Sequence, residues 1–333
     1  MKNATYIVFA AALVLSSAAL AEKPTAPKGS IVAKHGRLRV AGNRIVDRNG
    51  KPLALHGMSL FWSQWMPQFY NADAVKWLRD DWGCTVVRAA MAIEHGGYLK
   101  NPKREKERVL TVVRAAIDLG IYVIVDWHDH NAHRHTAQAK AFFAELAEKY
   151  AEYPNVLYET WNEPLNKHDW SKVIKPYHQA VIPAIRKHAP DSLILCGTQT
   201  WSQDVDKAAR DPLKFKNIAY VLHFYAATHK QNLRNKAAAA LKAGAALMVT
   251  EWGTSQANGS GKLDYAETQK WLEFMDRHKL TWCNWSIADK RETSAALQPR
   301  ASGKGRWTAK NLSRSGTLLR KEIRKRAVRT RRN

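Results

Sequence analysis

Residues 109–130, VLTVVRAAIDLGIYVIVDWHDH, contain the pattern that decides the fold. Residues 109–116 place apolar side chains at helical spacing, and residues 121–127 then form a continuous apolar run. An apolar run without alternation is typical of a strand buried on both faces, and a helix next to it indicates a parallel β/α unit. This stretch therefore predicts one repeat of a parallel α/β fold.

The same rhythm recurs along most of the chain. Seven more apolar, β-branched runs occupy residues 54–60, 84–91, 156–161, 192–196, 218–224, 246–250 and 281–287. Helical patterns lie between them at residues 72–78, 141–150, 177–188 and 268–278. Eight β/α units predict a closed (β/α)₈ TIM barrel. A doubly wound open sheet is the alternative, but it more often has fewer strands, and no G-x-G-x-x-G follows the first run.

Ahead of the barrel, residues 38–55 carry short alternating runs separated by turns at Gly42-Asn43 and Asn49-Gly50, which is typical of a β-hairpin. No linker rich in Pro, Ser or Thr divides the chain. We therefore expect a loose segment at residues 22–37 and one α/β domain at residues 38–319, a single TIM barrel with a short N-terminal β-hairpin.

The first 21 residues predict a signal peptide. A basic Lys2 precedes an apolar stretch at residues 6–19, and small residues stand at Ala19 and Ala21. A retained anchor is the alternative, but the apolar stretch is short for a bilayer and the polar Glu22-Lys23-Pro24 follows it. The sequence thus predicts a protein without a membrane anchor, secreted or periplasmic after cleavage near Glu22.

Charge and cysteine content limit the remaining possibilities. The 333 residues have a formal net charge of +24, and residues 320–333 hold eight Lys or Arg against Glu322. We expect a solvated basic tail; contact with an anionic polymer is the alternative, and nucleic acid is not expected because no aromatic residues interleave these charges. Cys84, Cys196 and Cys283 each lie in an apolar run, which predicts buried free thiols.

The active site of such a barrel lies at the C-terminal ends of its strands. Arg88 lies within its apolar run, and the other polar and aromatic residues at or just beyond the ends of these runs are Trp62, His128, Asn162, Glu163, Trp201, His223, Tyr225, Glu251 and Trp285. A carboxylate at the end of a buried strand is costly unless it is paired or functional, and two of them suit glycoside hydrolysis. The tryptophans suit the apolar faces of sugar rings, although any one alone is explained by core packing.

Each polar residue also has a purely structural interpretation. Arg88 would neutralise a buried glutamate, and His128 and His223 would be core histidines with satisfied hydrogen bonds. His128, Asp129 and His130 together suggest zinc, but neighbours in a strand point to opposite faces and a fourth ligand is missing. We predict neither a metal nor another cofactor.

At these positions the chain resembles glycoside hydrolase family 5, most closely its bacterial endo-β-1,4-glucanases. The resemblance covers residues 38–325 and is carried by KWLRDDWGCTVVRAAM (76–91), VIVDWH (123–128), YETWNEP (158–164), GTQTWSQDV (197–205), HFY (223–225), VTEWG (249–253) and WSIADKRETSAAL (285–297). Asn-Glu-Pro alone is a weak motif. Together with Glu-Trp-Gly three apolar runs later it is a specific one.

The resemblance implies a retaining endo-acting hydrolase of β-1,4-glucan, active as a monomer. It assigns Glu163 as acid/base and Glu251 as nucleophile. Asn162 is expected to hold the sugar 2-hydroxyl, and Arg88 and Tyr225 to hydrogen-bond the nucleophile carboxylate.

The remaining positions are implied to contact sugar. His128 and His223 line the central sugar site and Trp285 stacks on its ring. Trp201 is the platform on the leaving-group side. Lys290 and Glu292 are implied to contact sugars further out on the glycone side, and Trp62 is a further substrate-binding or supporting residue.

Two positions depart from the common pattern. Phe61 stands where many relatives have a histidine, and Ala92 where many have a tyrosine. The substrate therefore stays open between β-1,4-glucan and β-mannan, xyloglucan or mixed-linkage β-glucan. A glycan- or polyanion-binding protein without catalysis is the alternative of another class.

Overall fold

The structure, a computed structural model, describes Met1 and residues 25–332, with side chains up to Ala327. The predicted signal peptide lies outside the described residues. Within them, a two-stranded antiparallel hairpin, β1 (Arg39–Ala41) and β2 (Arg44–Val46), precedes eight parallel strands. The eight are β3 (His56–Leu60), β4 (Val86–Ala92), β5 (Tyr122–His128), β6 (Val156–Glu159), β7 (Ile194–Cys196), β8 (Ile218–Tyr225), β9 (Leu247–Gly253) and β10 (Trp282–Ile287).

These strands close into a barrel in the order β10-β3-β4-β5-β6-β7-β8-β9. Closure comes from parallel pairing of β10 with β3, where Trp282 lies opposite His56. The predicted TIM barrel with an N-terminal hairpin is confirmed. Every residue of β4 and β5 is buried, which explains why the strands read as apolar runs without alternation.

The helices surround the barrel. They are Ile31–His35, Ala72–Trp77, Pro102–Leu119, Thr136–Tyr150, Lys175–Arg186, Val205–Arg210, Gln231–Lys242, Tyr265–His278 and Arg314–Arg332. Pro102–Leu119 shows how the sequence sets such a helix, because a proline opens it and Gly120 ends it with φ +65°. Its buried face includes Val109, Val112 and Val113, at the predicted spacing.

Two apolar layers hold the barrel. One lies between the strands and the helices, and the other fills the N-terminal end of the barrel, where Ile45 of the hairpin joins Leu55, Tyr122 and Met248. The hairpin thus covers the end opposite the polar strand ends. Cys84, Cys196 and Cys283 are buried free thiols, as predicted.

The expectation of a loose segment at residues 22–37 is wrong for the part that the structure describes. Ile31–His35 is a helix whose N-cap, Ser30, accepts a hydrogen bond from the Ala33 amide at 3.1 Å. The side chain of Val32, in this helix, is buried. The sequence does not reveal this helix, because a single helical turn is too short to show a periodic pattern of apolar residues.

The expected tail at residues 320–333 is likewise not separate from the domain. The boundary falls inside the helix Arg314–Arg332, and Ile323 is fully buried. Arg320 donates to both carboxylate oxygens of Asp81 at 2.6 and 2.8 Å, and Arg326 does the same to Asp276 at 2.8 Å. The charge of these residues predicts a solvated tail. The structure instead depends on the apolar side chains of one helix face, which are buried against the domain.

No helix among the described residues is long and apolar enough to cross a membrane.

Ile323→Ala tests whether the C-terminal helix belongs to the folded domain. We expect the free energy of unfolding, measured by urea denaturation, to fall by about 2–5 kcal/mol, because a fully buried side chain is truncated. The control Lys325→Ala, at an exposed position two residues away, should change it by less than about 0.5 kcal/mol. Equal stability of the two variants would contradict packing of this helix.

Candidate active site

Two glutamates face each other across the C-terminal end of the barrel. Glu163 follows β6, and Glu251 is the fifth residue of β9. An oxygen of each carboxylate and a ring nitrogen of His223 all lie within 4.8 Å of one another. Parallel strands all point one way, so the ends of β6 and β9 meet at the same rim of the barrel. The fold therefore brings the two acids together at the rim where the sequence predicts them.

Arg88, in β4, organises the floor of this site. Its side chain is fully buried, and it bonds Glu251 at 3.1 Å and Asp126 at 2.9 Å. It also forms a two-pronged contact with Glu159, at 2.8 and 3.0 Å. Nη2 further donates to the Asn162 side-chain oxygen at 2.7 Å. Only a planar guanidinium offers enough donors in fixed directions for this set of partners.

The buried carboxylates outnumber the one arginine. Burial raises the pKa of Asp126 to about 7, against the lowering effect of Arg88. Burial also raises the pKa of Glu159, again opposed by Arg88. Arg88 alone therefore does not compensate all of these buried negative charges, and burial makes the charged form of each carboxyl less favourable.

Glu251 is held at both oxygens. Arg88 donates to Oε2, and the Tyr225 hydroxyl donates to Oε1 at 2.9 Å. Burial, and after it the charge of Glu163, raise the pKa of Glu251 to about 8, while Arg88 and Tyr225 lower it. Because the charge of Glu163 is one cause, Glu251 is ionised more readily when Glu163 carries a proton. The two acids thus titrate as a pair.

Glu163 lies between two imidazoles. His223 Nδ1 is 3.0 Å from Oε1, and His130 Nε2 is 3.3 Å from Oε2. Burial raises the pKa of Glu163, and hydrogen bonds from His130 and His223 outweigh it, so that the pKa lies below its usual value. The carboxylate form is therefore favoured while these imidazoles carry protons.

The tautomer of His223 follows from its other neighbour. The Thr250 hydroxyl donates to Glu159 at 2.8 Å, so its oxygen accepts the hydrogen on His223 Nε2, also at 2.8 Å. In a protonated ring Nδ1 donates to the Glu163 carboxylate, whereas in a neutral ring its lone pair accepts a hydrogen bond from protonated Glu163. Both ring nitrogens of His223 thus have partners within the protein.

His128 and Trp285 form a second cluster at the rim. The two rings are parallel, with centroids 5.2 Å apart, and Trp62 meets His128 edge-on at 4.2 Å. His128 Nδ1 lies 2.6 Å from Asp126. Burial, followed by the charge of Arg88, lowers the pKa of His128 well below its usual value, so the ring is neutral.

Phe61 belongs to the same end of the cleft. Its ring lies 5.1 Å from that of Trp285, and the Lys290 ammonium lies 4.7 Å above it. Lys290 in turn pairs with Glu292 at 2.6 Å. Ala92 ends β4 opposite His128 in the sheet register and is buried.

Trp201 stands apart from these residues. It is 38% exposed and lines a cavity of about 370 Å³ together with Glu163, Tyr225 and Glu251. Trp201 thus lines the same cavity as both acids. Trp201 occupies a left-handed turn, at φ +52°.

The suggested zinc ligands do not converge. His128 contacts Asp126, His130 contacts Glu163, and Asp129 bonds His135 at 2.7 Å. Among the described residues, three potential ligand atoms come together in two other groups: one is Glu163, His223 and Glu251, and the other is Glu94, Asp129 and His135.

Sequence reasoning missed two residues of the site. Glu159 lies in an apolar run, and a charge inside a buried strand was the signal that could have identified it. His130 was considered only as a metal ligand. Its contact with Glu163 connects the loop after β5 to the loop after β6, so no spacing of residues in the sequence predicts this contact.

Comparisons with known proteins agree with one another. A family model described as cellulase, glycosyl hydrolase family 5, matches residues 46–291. "Endoglucanase" of Clostridium saccharobutylicum is 49% identical over 291 residues, which are 86% of this chain and 65% of that protein. "Endoglucanase A" of Evansella cellulosilytica is 48% identical over 334 residues, covering 98% and 67%. This chain spans about two thirds of the length of these relatives.

Two solved structures are also similar to this chain. A structure from Cytophaga hutchinsonii is 53% identical, with a TM-score of 0.89, covering 90% of this chain and 98% of that one. The catalytic domain of Thermobifida fusca endoglucanase Cel5A is 34% identical, with a TM-score of 0.85, covering 88% and 99%.

Arg88→Met tests the floor of the site. It leaves Asp126, Glu159 and Glu251 without their shared cation, so we expect the free energy of unfolding to fall by about 3–5 kcal/mol in urea denaturation. Arg88→Lys should recover part of this loss, because it restores the charge but not the planar fork. Arg210→Met, in an exposed pair with Asp206, is the control and should change stability by less than about 1 kcal/mol. Wild-type stability in Arg88→Met would refute this role.

Proposed function

Because this chain belongs to the cellulases of glycosyl hydrolase family 5, we propose that it is a retaining endo-β-1,4-glucanase. The observation that carries the mechanism is that one carboxylate oxygen of Glu163 lies within 4.8 Å of one carboxylate oxygen of Glu251. Retaining glycosidases have their carboxyls about 5–5.5 Å apart, whereas inverting ones need about 6.5–9.5 Å to admit a water. The names of the relatives support β-1,4-glucan as substrate over β-mannan and xyloglucan.

In this proposal, Glu163 protonates the glycosidic oxygen while Glu251 attacks the anomeric carbon and forms a glycosyl ester. Glu163 then removes a proton from water, which attacks the same carbon and releases Glu251. Protonation of Glu163 removes its charge from beside Glu251, and Arg88 and Tyr225 then favour the ionised nucleophile. Protonation of Glu163 therefore favours ionisation of Glu251.

The surrounding residues bind the glucan. The Asn162 oxygen is occupied by Arg88, which leaves the amide nitrogen to donate to the sugar 2-hydroxyl. Trp285 stacks on the central sugar beside His128, and Trp201 supports the leaving-group side. Further glycone contacts come from Trp62, Lys290 and Glu292.

We also propose that the protein acts outside the cytoplasm as a monomer, after removal of residues 1–21. The support is the leader pattern in the sequence, with a basic start, an apolar stretch and small residues before Glu22.

Reducing-sugar release from soluble β-1,4-glucan, mixed-linkage β-glucan, xyloglucan, β-mannan and xylan tests the substrate. We expect the highest kcat/KM on β-1,4-glucan, with internal cuts that lower viscosity early. NMR of the first product should show the β-anomer. Cleavage of β-mannan alone, or an initial α-anomer, would overturn the substrate or the mechanism, respectively.

Substitution of the two glutamates tests their roles. Glu251→Ala should lose turnover, and azide should restore it with inverted product, because the anion attacks from the face that the nucleophile occupied. Glu163→Ala should lower kcat/KM on glucan by roughly 10²–10⁴-fold, yet accumulate the covalent intermediate with aryl glycosides that have good leaving groups. The reverse pattern would exchange the two assignments.

A further inference from the structure

His130 is the more exposed of the two imidazoles that contact Glu163. It lies two residues beyond the end of β5, with its side chain 28% exposed, against 2% for His223. Among the described residues, its ring makes a hydrogen bond to Glu163 alone. Trp62 packs near the ring at 5.8 Å between centroids. His130 therefore lies in the cleft, with one nitrogen on the acid/base candidate.

The two imidazoles differ in how they can exchange protons. His223 Nε2 is committed to Thr250, deep in the site. His130 has no such second partner among the described residues and is open to solvent. Only His130 can both exchange a proton with water and contact Glu163 directly.

The charges around His130 favour its protonated form. Burial lowers its pKa, but the hydrogen bond and charge of Glu163, with Asp129 and Glu251, raise the pKa above the usual value. His128, two residues earlier, is neutral, and Trp62 contributes no charge. The cation thus interacts with carboxylates from the loop after β5, from the loop after β6 and from β9.

We propose that His130 is a positioning residue that stores the proton used by Glu163. In the resting site, the proton on His130 Nε2 bonds to the Glu163 carboxylate. It moves to Oε2, leaving a neutral ring, and Glu163 then gives it to the departing glycosidic oxygen as the bond from that oxygen to the anomeric carbon breaks. In the second step, the proton from water returns through Glu163 to His130. This inference rests on the proposed function.

A consequence concerns the alkaline limb of the pH profile. While His130 is protonated, the proton for Glu163 remains available, so activity is lost only as pH rises through the raised pKa of His130. Without the imidazole, the proton is held by a carboxyl alone and is lost at lower pH. His130 thus extends activity toward higher pH.

His130→Gln tests this role, because glutamine retains a hydrogen-bond donor but cannot store a proton. We expect the alkaline limb of kcat/KM for cellotetraose to move to lower pH by about one unit, so that kcat/KM falls by about tenfold on that side. His95→Gln is the matched control. Its ring also packs near Trp62, at 6.5 Å, but makes no contact with Glu163.

A substrate that needs no acid separates proton storage from packing. With 2,4-dinitrophenyl β-cellobioside, the formation of the glycosyl ester should have the same alkaline limb in His130→Gln and wild type. Coincident limbs of the two histidine variants on cellotetraose would overturn the inference. An equal loss on both substrates would also overturn it, since packing alone predicts that result. Wild-type protein inactive on both substrates would instead refute the proposed function.

Discussion

The hydrogen bonds and ion pairs of Arg88 fix the positions of the other side chains at the floor of the site. One fully buried guanidinium contacts Asp126 from β5, Glu159 from β6 and Glu251 from β9, and so connects four strands at the floor of the cleft. Buried carboxylates without a partner would be strongly destabilising. The structural and functional interpretations of this arginine are therefore not alternatives. The contact that allows Glu251 to be buried also aims its carboxylate at the cleft.

The acids operate in a chain of hydrogen bonds that extends beyond them. From Arg88 it passes through Glu159 and Thr250 to His223, and so to Glu163. Each member of this chain fixes whether the next one donates or accepts. The position of the proton on Glu163 therefore depends on His223 and Thr250, which lie in other parts of the barrel. The carboxylates outnumber the one arginine here, and burial raises the pKa of Asp126 and Glu159.

Phe61 and Ala92 depart from the residues that the sequence resemblance implies at their positions. Phe61 packs between Trp285 and Lys290, and Ala92 leaves a small side chain opposite His128. An apolar ring and a methyl group here offer fewer hydrogen bonds to a sugar than a histidine and a tyrosine would.

The sequence by itself determined the barrel, because apolar runs and helical spacing are local patterns that burial on both strand faces imposes. It also placed Arg88, Glu163 and Glu251 at one rim, since parallel strands share a direction. It did not determine the contact between His130 and Glu163, the bond of Arg88 to Glu159 or the docking of residues 320–327 on the barrel. Those depend on side chains far apart in the chain, whose distances only the closed barrel decides.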